Sequence, residues 1–412
     1  MESSTADLPR IEDLDLPVLG EFVPNDPGRF AMLDAARSKS WIARKGTGYS
    51  ILRYEDVVAV HRDKRFINGG NVGLRRAGIT DERFLARRPN PFLRAEGEDH
   101  ARLRRLVAPA FSARGADKLR PFMRKELNDF ADQVLARGHA ELVSECFDMF
   151  PIAVICHLLG APREDWRLFF DWTREIFQIY GGDIESNMER ILEAHRELDD
   201  YTERLIESRR KTPGPDLLTE LIAAEEAGDR LSTDELVSIV EAVLLAGTDT
   251  TRSQLGITVA TVLQNPDQLA KLLADPALVA PAVEESLRYL ATSGGQPRYA
   301  PEDTEFKGVL FPAGTLFETN FVSANFDPAI WGNDADTYEI ERPKAGYGQL
   351  TFGIGRHVCL GASIARAELE ETLLVLLQRL PGLRIAGDVA YKSSFGGGMW
   401  AVEHLPVAFD PA

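Results

Sequence analysis

Cys359 is the residue in this chain of 412 with the most chemistry to offer, in the stretch Phe352-Gly353-Ile354-Gly355-Arg356-His357-Val358-Cys359-Leu360-Gly361. Gly355 and Gly361 lack a Cβ, so the backbone around the cysteine can turn sharply and come close to a flat, bulky partner. Beyond it, Leu360, Ile364, Ala367, Leu369, Leu373, Leu376, Leu377 and Leu380 recur near helical spacing until Pro381-Gly382. Cys359 therefore stands at a helix N-terminus, where free N–H groups and the helix dipole favour the thiolate, the form that ligates metals. A lone Cys-x-Gly also reads as an ordinary buried cysteine. A zinc or iron–sulfur site needs more thiolates at regular spacings, and Cys146 and Cys156 are remote in sequence and in apolar surroundings.

A second unusual stretch, Ala246-Gly247-Thr248-Asp249-Thr250-Thr251, interrupts a long apolar pattern. Gly costs about 1 kcal/mol against Ala inside a helix, and threonines divert hydrogen bonds to the preceding turn, so the sequence opens a notch or bends locally. The pattern begins at Ser232, with Glu235 completing a capping box, and meets no proline before Pro266. Roughly 30 residues at 1.5 Å each predict a helix of about 45 Å, a central beam. A third group is Glu285-Ser286-Leu287-Arg288, which alone is a surface ion pair at i, i+3.

Positioning these groups requires a mostly helical body. Helices are predicted over 27–37, 54–61, 99–110, 113–137, 150–160, 163–181, 185–211, 215–227, 266–273 and 279–290, with Pro162, Gly181-Gly182 and Pro213-Gly214-Pro215 as breaks. A hairpin is predicted at 41–43 and 49–53, and short strands at 298–300, 304–306, 309–311 and 315–319. A last strand pair is predicted at 391–394 and 405–409, with Gly396-Gly397-Gly398 at its tip. From Phe66 to Phe92 glycines and prolines abolish periodicity, while Leu74, Ile79, Phe84 and Leu85 argue against disorder, which marks a functional loop. No linker or repeat divides the chain, so residues 1–412 read as one domain, with 1–25 loosely ordered.

Three cysteines are too few for a disulfide framework and suit a reducing cytoplasm. Residues 1–21 hold no apolar run, so neither a signal peptide nor a membrane anchor is expected there. Sixty-four acidic against 47 basic residues give a net charge of −17, which repels nucleic acid and anionic lipid. Against that background Arg102, Arg104, Arg105, Arg114, Lys118, Arg120, Arg124 and Lys125 form a local basic concentration, which also reads as a solvated helix face.

The whole box Phe-x-x-Gly-x-x-x-Cys-x-Gly with Ala365-Arg366 resembles the heme-binding loop of the cytochrome P450 family, soluble bacterial type. The resemblance runs from about Ile51 to Phe409 and implies a mainly α fold with a small β part, in which the long helix crosses over heme b, iron protoporphyrin IX. It makes Cys359 the thiolate ligand of iron, with Gly361 in the same loop and Phe352 shielding the sulfur. It assigns His100 and Arg104, four apart on one helix, together with Arg298 and His357, to the heme propionates. Asp249 and Thr250 match the family's acid and alcohol for proton delivery on the oxygen-binding helix. Glu285 and Arg288 match a buried structural pair that Arg342 completes.

The implied activity is insertion of one oxygen atom from O2 into a hydrophobic small molecule, with electrons from NAD(P)H through a ferredoxin reductase and a ferredoxin. A peroxide-using or isomerising heme-thiolate enzyme and a non-catalytic heme sensor are alternatives; Asp249-Thr250 speaks against the first, and the absence of a partner-binding module against the second. The basic residues Arg102, Arg105, Arg114 and Lys118 are expected to dock the ferredoxin. Val243, Ala246, Gly247, Ser293, Gly294, Gly295 and the turn at Phe395-Gly396 are expected to line the substrate pocket, capped by the loop over 66–92. Gly294 and Gly295 stand where relatives often place Val or Leu, which points to a wide pocket and a ring-containing substrate. Phe326 replaces the usual arginine of Ala-Asn-Arg-Asp-Pro.

Overall fold

The computed structural model describes residues 8–20, 23, 28–68, 75, 78–87, 91–180, 184–226, 231–394 and 399–411. In chain order, α1 (Arg29–Lys39) leads into the hairpin β1 (Ile42–Lys45) and β2 (Gly48–Ile51), then α2 (Tyr54–Arg62), α3 (Glu82–Arg87), α4 (Gly97–Val107) and α5 (Ala113–Val134). Next come β3 (His139–Glu141), α6 (Phe150–Leu159), α7 (Trp166–Ile176), α8 (Ile184–Lys211), α9 (Leu217–Glu226), α10 (Thr233–Ala246), α11 (Asp249–Gln264), α12 (Pro266–Ala274) and α13 (Val279–Tyr289). Strands β4 (Gly295–Tyr299), β5 (Thr304–Phe306), β6 (Val309–Phe311) and β7 (Leu316–Asn320) precede α14 (Phe321–Asn325), and α15 (Ala362–Arg379) precedes β8 (Arg384–Ile385), β9 (Ala390–Ser394), β10 (Met399–His404) and β11 (Pro406–Ala408).

The chain forms two compact units. The first comprises Met1–Asp81, Ser293–Thr337 and Pro343–Cys359. Its sheet has the order β1-β2-β7-β4, with β2 parallel to β7 and the other pairs antiparallel. β-branched and aromatic residues on these strands, with Val57 and Val60 of α2, build a core around Phe66, Phe311, Phe317 and Phe321. Phe66 meets Phe317 edge to face at 5.1 Å, the arrangement that ring quadrupoles favour. Residues 8–20, expected to be loose, are tied in: Leu310 donates to Pro9 O at 2.9 Å, Leu19 to Arg44 O at 2.9 Å, and Ile11 is buried. Phe326 is buried with its ring 4.4 Å from that of Phe30, so an aromatic contact occupies the place of the usual arginine.

The second unit comprises Glu82–Thr292, Tyr338–Arg342 and Leu360–Ala412. Its helices carry most of the fold, and α5 is fastened to α15 by Arg120 and Arg124, which donate at 2.9 and 2.8 Å to the buried carboxylate of Glu371. Three sequence expectations are corrected here. The central helix is not continuous but breaks at Gly247-Thr248 into α10 and α11. The C-terminal hairpin pairs β9 with β10, whereas 406–408 pairs with β3 and β8. The loop expected over 66–92 contains α3 and a helical turn at Pro91–Arg94; residues 69–74, 76, 77 and 88–90 lie outside the described residues.

Candidate active site

In the first unit, Cys359 ends a loop that the backbone itself closes. Gly353 and Gly355 have φ of +71° and +79°, a region that side chains rarely adopt, and this lets residues 355–357 form a single 3-10 turn. The Cys359 N–H donates to Phe352 O at 2.7 Å, and the chain then enters α15 through Gly361, its N-cap. Cys359 is exposed, whereas Cys146 and Cys156 are buried. Burial pushes the Cys156 thiol up to about 12, and Cys146 is raised by the same cause. Among the described residues no three His, Cys, Asp or Glu side chains gather as metal ligands.

Arg298 of β4 is buried and held in the same unit. Its Nη2 donates to His61 Nδ1 at 2.8 Å and to Gln296 Oε1 at 3.1 Å, while Nη1 donates to Pro297 O at 2.8 Å. His61 was not singled out from sequence; its one signal is an imidazole beside the buried valines of α2. Desolvation first, then the positive charge of Arg298, holds the His61 pKa down to about 3. His357 and Phe352 are half-buried in the loop. Upstream, Ser293 Oγ donates to Gly295 O at 3.4 Å, and Gly294 O accepts the N–H groups of Phe321 and Val322. A Cβ on Gly295 would lie 2.3 Å from Thr319 O, so this glycine answers to the contact of β4 with β7.

In the second unit, the break between α10 and α11 is made by its threonines. Thr248 Oγ1 donates to Leu245 O at 3.3 Å and Thr250 Oγ1 to Ala246 O at 3.0 Å, so both hydroxyls fold back on the preceding turn. A Cβ on Gly247 would lie 2.5 Å from Ile155 Cδ1, which gives this glycine a packing role against α6. Val243 is buried and Ala246 exposed. Asp249, the first residue of α11, accepts from Arg252 at 2.7 Å, and Arg252 also reaches Asp148 at 3.2 Å. Asp249 Oδ2 is buried without a hydrogen-bond partner. Beside it opens a cavity of about 590 Å³ lined by Thr248, Asp249, Arg252, Asp148, Thr173 and Val402 among others. Burial raises the Asp148 pKa against the opposing pull of Arg252. Sequence reading missed Arg252, although its place three residues after Asp249 was the signal.

His100 and Arg104 lie one turn apart on α4, both half-buried. Arg288 clamps Glu285 with two bonds of 2.7 Å, and Arg342 adds a third at 3.2 Å, all three side chains being buried. Of the expected docking residues, Arg105, Arg114 and Lys118 are exposed. Arg102 is not available in that way, because it is paired with Glu235 at 2.5 Å, the residue that also completes the capping box of α10. Phe395 and Gly396 lie outside the described residues.

The family profile for Cytochrome P450 matches residues 75–381. The mycinamicin IV hydroxylase/epoxidase of Micromonospora griseorubida is 37% identical over 338 residues, covering 81% of this chain and 82% of its own. Luteothin monooxygenase of Streptomyces thioluteus is 34% identical over 97% of each chain. Among solved structures, epothilone D-bound cytochrome P450epoK matches with a TM-score of 0.84 at 27% identity, covering 95% of this chain and all of that one. Cytochromes P450 bind heme b, and the residues here fit that group: a single exposed thiol on a glycine turn would supply one soft ligand for iron, and a buried arginine held by His61, Gln296 and Pro297 would supply positive charge for a carboxylate. With three quarters of its length under one family profile and a thiol set as that family needs it, the chain belongs to the cytochrome P450 family, as a monooxygenase.

Proposed function

We propose that this monooxygenase inserts one atom of O2 into a hydrophobic, ring-containing small molecule, drawing electrons from NAD(P)H through a ferredoxin reductase and a ferredoxin. The observation that carries the reading is the break at Gly247-Thr248, after which α11 starts at Asp249, whose Oδ2 is buried without a partner beside the cavity, with Thr250 as the next residue. Heme b, when bound, supplies the oxidising chemistry. Cys359 would hold its iron, and His100, Arg104, Arg298 and His357 its propionates, with Phe352 keeping water from the sulfur. Thr250 Oγ1 holds a proton at the oxygen site, and Asp249 replaces it from the adjoining cavity by turning away from Arg252. Val243, Ala246 and the Ser293-Gly294-Gly295 turn border the substrate. Hydroxylation and epoxidation are the reactions that the relative's name supports.

The test is a set of four substitutions in the heme-loaded protein. Cys359→Ser should abolish the reduced carbon monoxide band for which the family is named, while Cys146→Ser and Cys156→Ser keep it. Thr250→Ala should leave substrate binding near wild type yet divert electrons from product to peroxide. Product per NADH unchanged in Thr250→Ala would overturn the proton-delivery role, and turnover driven by peroxide but never by O2 with reductant would replace it with the peroxide-using alternative.

A further inference from the structure

His61 and Arg298 make the least expected contact in the first unit: an imidazole and a guanidinium, both buried, 2.8 Å apart. The hydrogen-bond directions around the ring are fixed by its neighbours. Arginine can only donate, so His61 Nδ1 must be an acceptor. On the other side of the ring, Nε2 lies 2.8 Å from Thr319 Oγ1, whose own proton goes to Gln296 O at 3.1 Å. That leaves Thr319 Oγ1 as acceptor and puts the single ring proton on Nε2. Desolvation and nearby positive charges keep the ring neutral, Arg298 having the largest charge effect and His357 and Arg356 smaller ones, against the opposing pull of a bond between the ring and the Ile354 backbone.

We propose that His61 is a positioning residue for the heme: through Nδ1 it fixes the Arg298 guanidinium in the orientation that receives a propionate. The inference rests on the reading of Arg298 as a propionate ligand. His61 Nδ1, Gln296 Oε1 and Pro297 O are all neutral, so they aim the guanidinium without cancelling its charge. The cysteine loop closes on the same residue, because a Cβ on Gly355 would lie 2.9 Å from His61 O. One residue of α2 thereby sets both the arginine and the backbone of the loop that carries His357 and Cys359. A ring that merely filled the core would need no such polarity, and leucine would serve as well.

Heme loss from the loaded protein to an excess of heme-free myoglobin tests this, with wild type, His61→Leu, His61→Asn, Arg298→Leu and the double variant His61→Leu/Arg298→Leu. His61→Leu should release heme roughly tenfold faster, the worth of one hydrogen bond to a charged group. His61→Asn, whose Oδ1 can stand where Nδ1 stood, should return the rate to near wild type. In the Arg298→Leu chain, His61→Leu should add almost nothing, since it acts through the arginine. Equal acceleration with and without Arg298 would overturn the proposal in favour of core packing, as would a wild-type rate in His61→Leu beside a fast one in Arg298→Leu. A wild-type rate in Arg298→Leu itself would instead overturn the propionate reading on which the proposal stands. Should His61→Leu not fold, Thr319→Val, which frees the ring tautomer, takes its place, with acceleration expected only while Arg298 is present.

Discussion

Cys146 and Cys156 lie where burial penalises a thiolate, whereas Cys359 is exposed in the loop that leads into α15, so the same residue type has two fates set by surroundings alone. His61 shows the same principle with a measurable consequence. Its folded pKa of about 3 lies below the ordinary value of 6.5, so between these limits the unfolded chain binds the extra proton. The stability that neutral His61 contributes is therefore complete above pH 6.5 and is lost as pH falls toward 3. At pH 5 the loss should be about 2 kcal/mol relative to pH 7. Urea midpoints of wild type and His61→Leu at the two pH values give the comparison, and parallel pH dependence in both would refute the linkage. Asp249 and Arg252 work at this scale too: a cation three residues along α11 engages one carboxylate oxygen and leaves the other buried beside a cavity.

At the scale of elements, most of the helices were legible because Pro162, Pro213, Pro215 and Pro266 punctuate a clear apolar period, and the capping box at Ser232 forms as read. The Glu285, Arg288 and Arg342 group was legible as well, since family spacing named three residues that the fold does bring within bonding distance. What could not be read is non-local. β3 has only three residues and exists by pairing with β11, more than 260 positions away, so no local pattern announces it. Gly247 and Gly295 were read as lining a pocket because sequence shows a missing side chain but not the Ile155 methyl or the Thr319 carbonyl that each packs against. The break at Gly247-Thr248 was readable as a weak point, though not as an interruption, since that depended on where two threonine hydroxyls turned. Glu285→Ala tests the buried group: with the carboxylate gone, two guanidiniums at 1% and 6% side-chain exposure lose their shared partner. A loss of about 3–5 kcal/mol is expected, read as a lower urea midpoint, because an unpaired buried charge costs far more than a surface pair returns. A loss under about 1 kcal/mol would place the group with ordinary surface pairs.

Taken as a whole molecule, a chain of net charge −17 would repel an acidic ferredoxin at long range, so the docking proposed for it needs a local positive surface. Arg105 on α4, with Arg114 and Lys118 on α5, is exposed and forms the proposed docking surface, while Arg120 and Arg124 are spent on Glu371 and Arg102 on Glu235. The two opposing fields differ in reach: at physiological salt the screening length is about 8 Å, so the diffuse net repulsion is screened before a close contact pair is. Adding salt from a very low concentration should first relieve repulsion and then weaken attraction, giving a rate of ferredoxin-dependent reduction that rises slightly and then falls. Arg105→Glu, Arg114→Glu and Lys118→Glu combined should lower the low-salt rate by about tenfold or more, the lower end of electrostatic steering effects. Arg102→Glu is the informative contrast, since it should break the pair with Glu235 and lower the urea midpoint while changing the docking rate little. A reduction rate indifferent both to salt and to the triple reversal would mean that α4 and the start of α5 present only a solvated face, and that the ferredoxin docks on other residues.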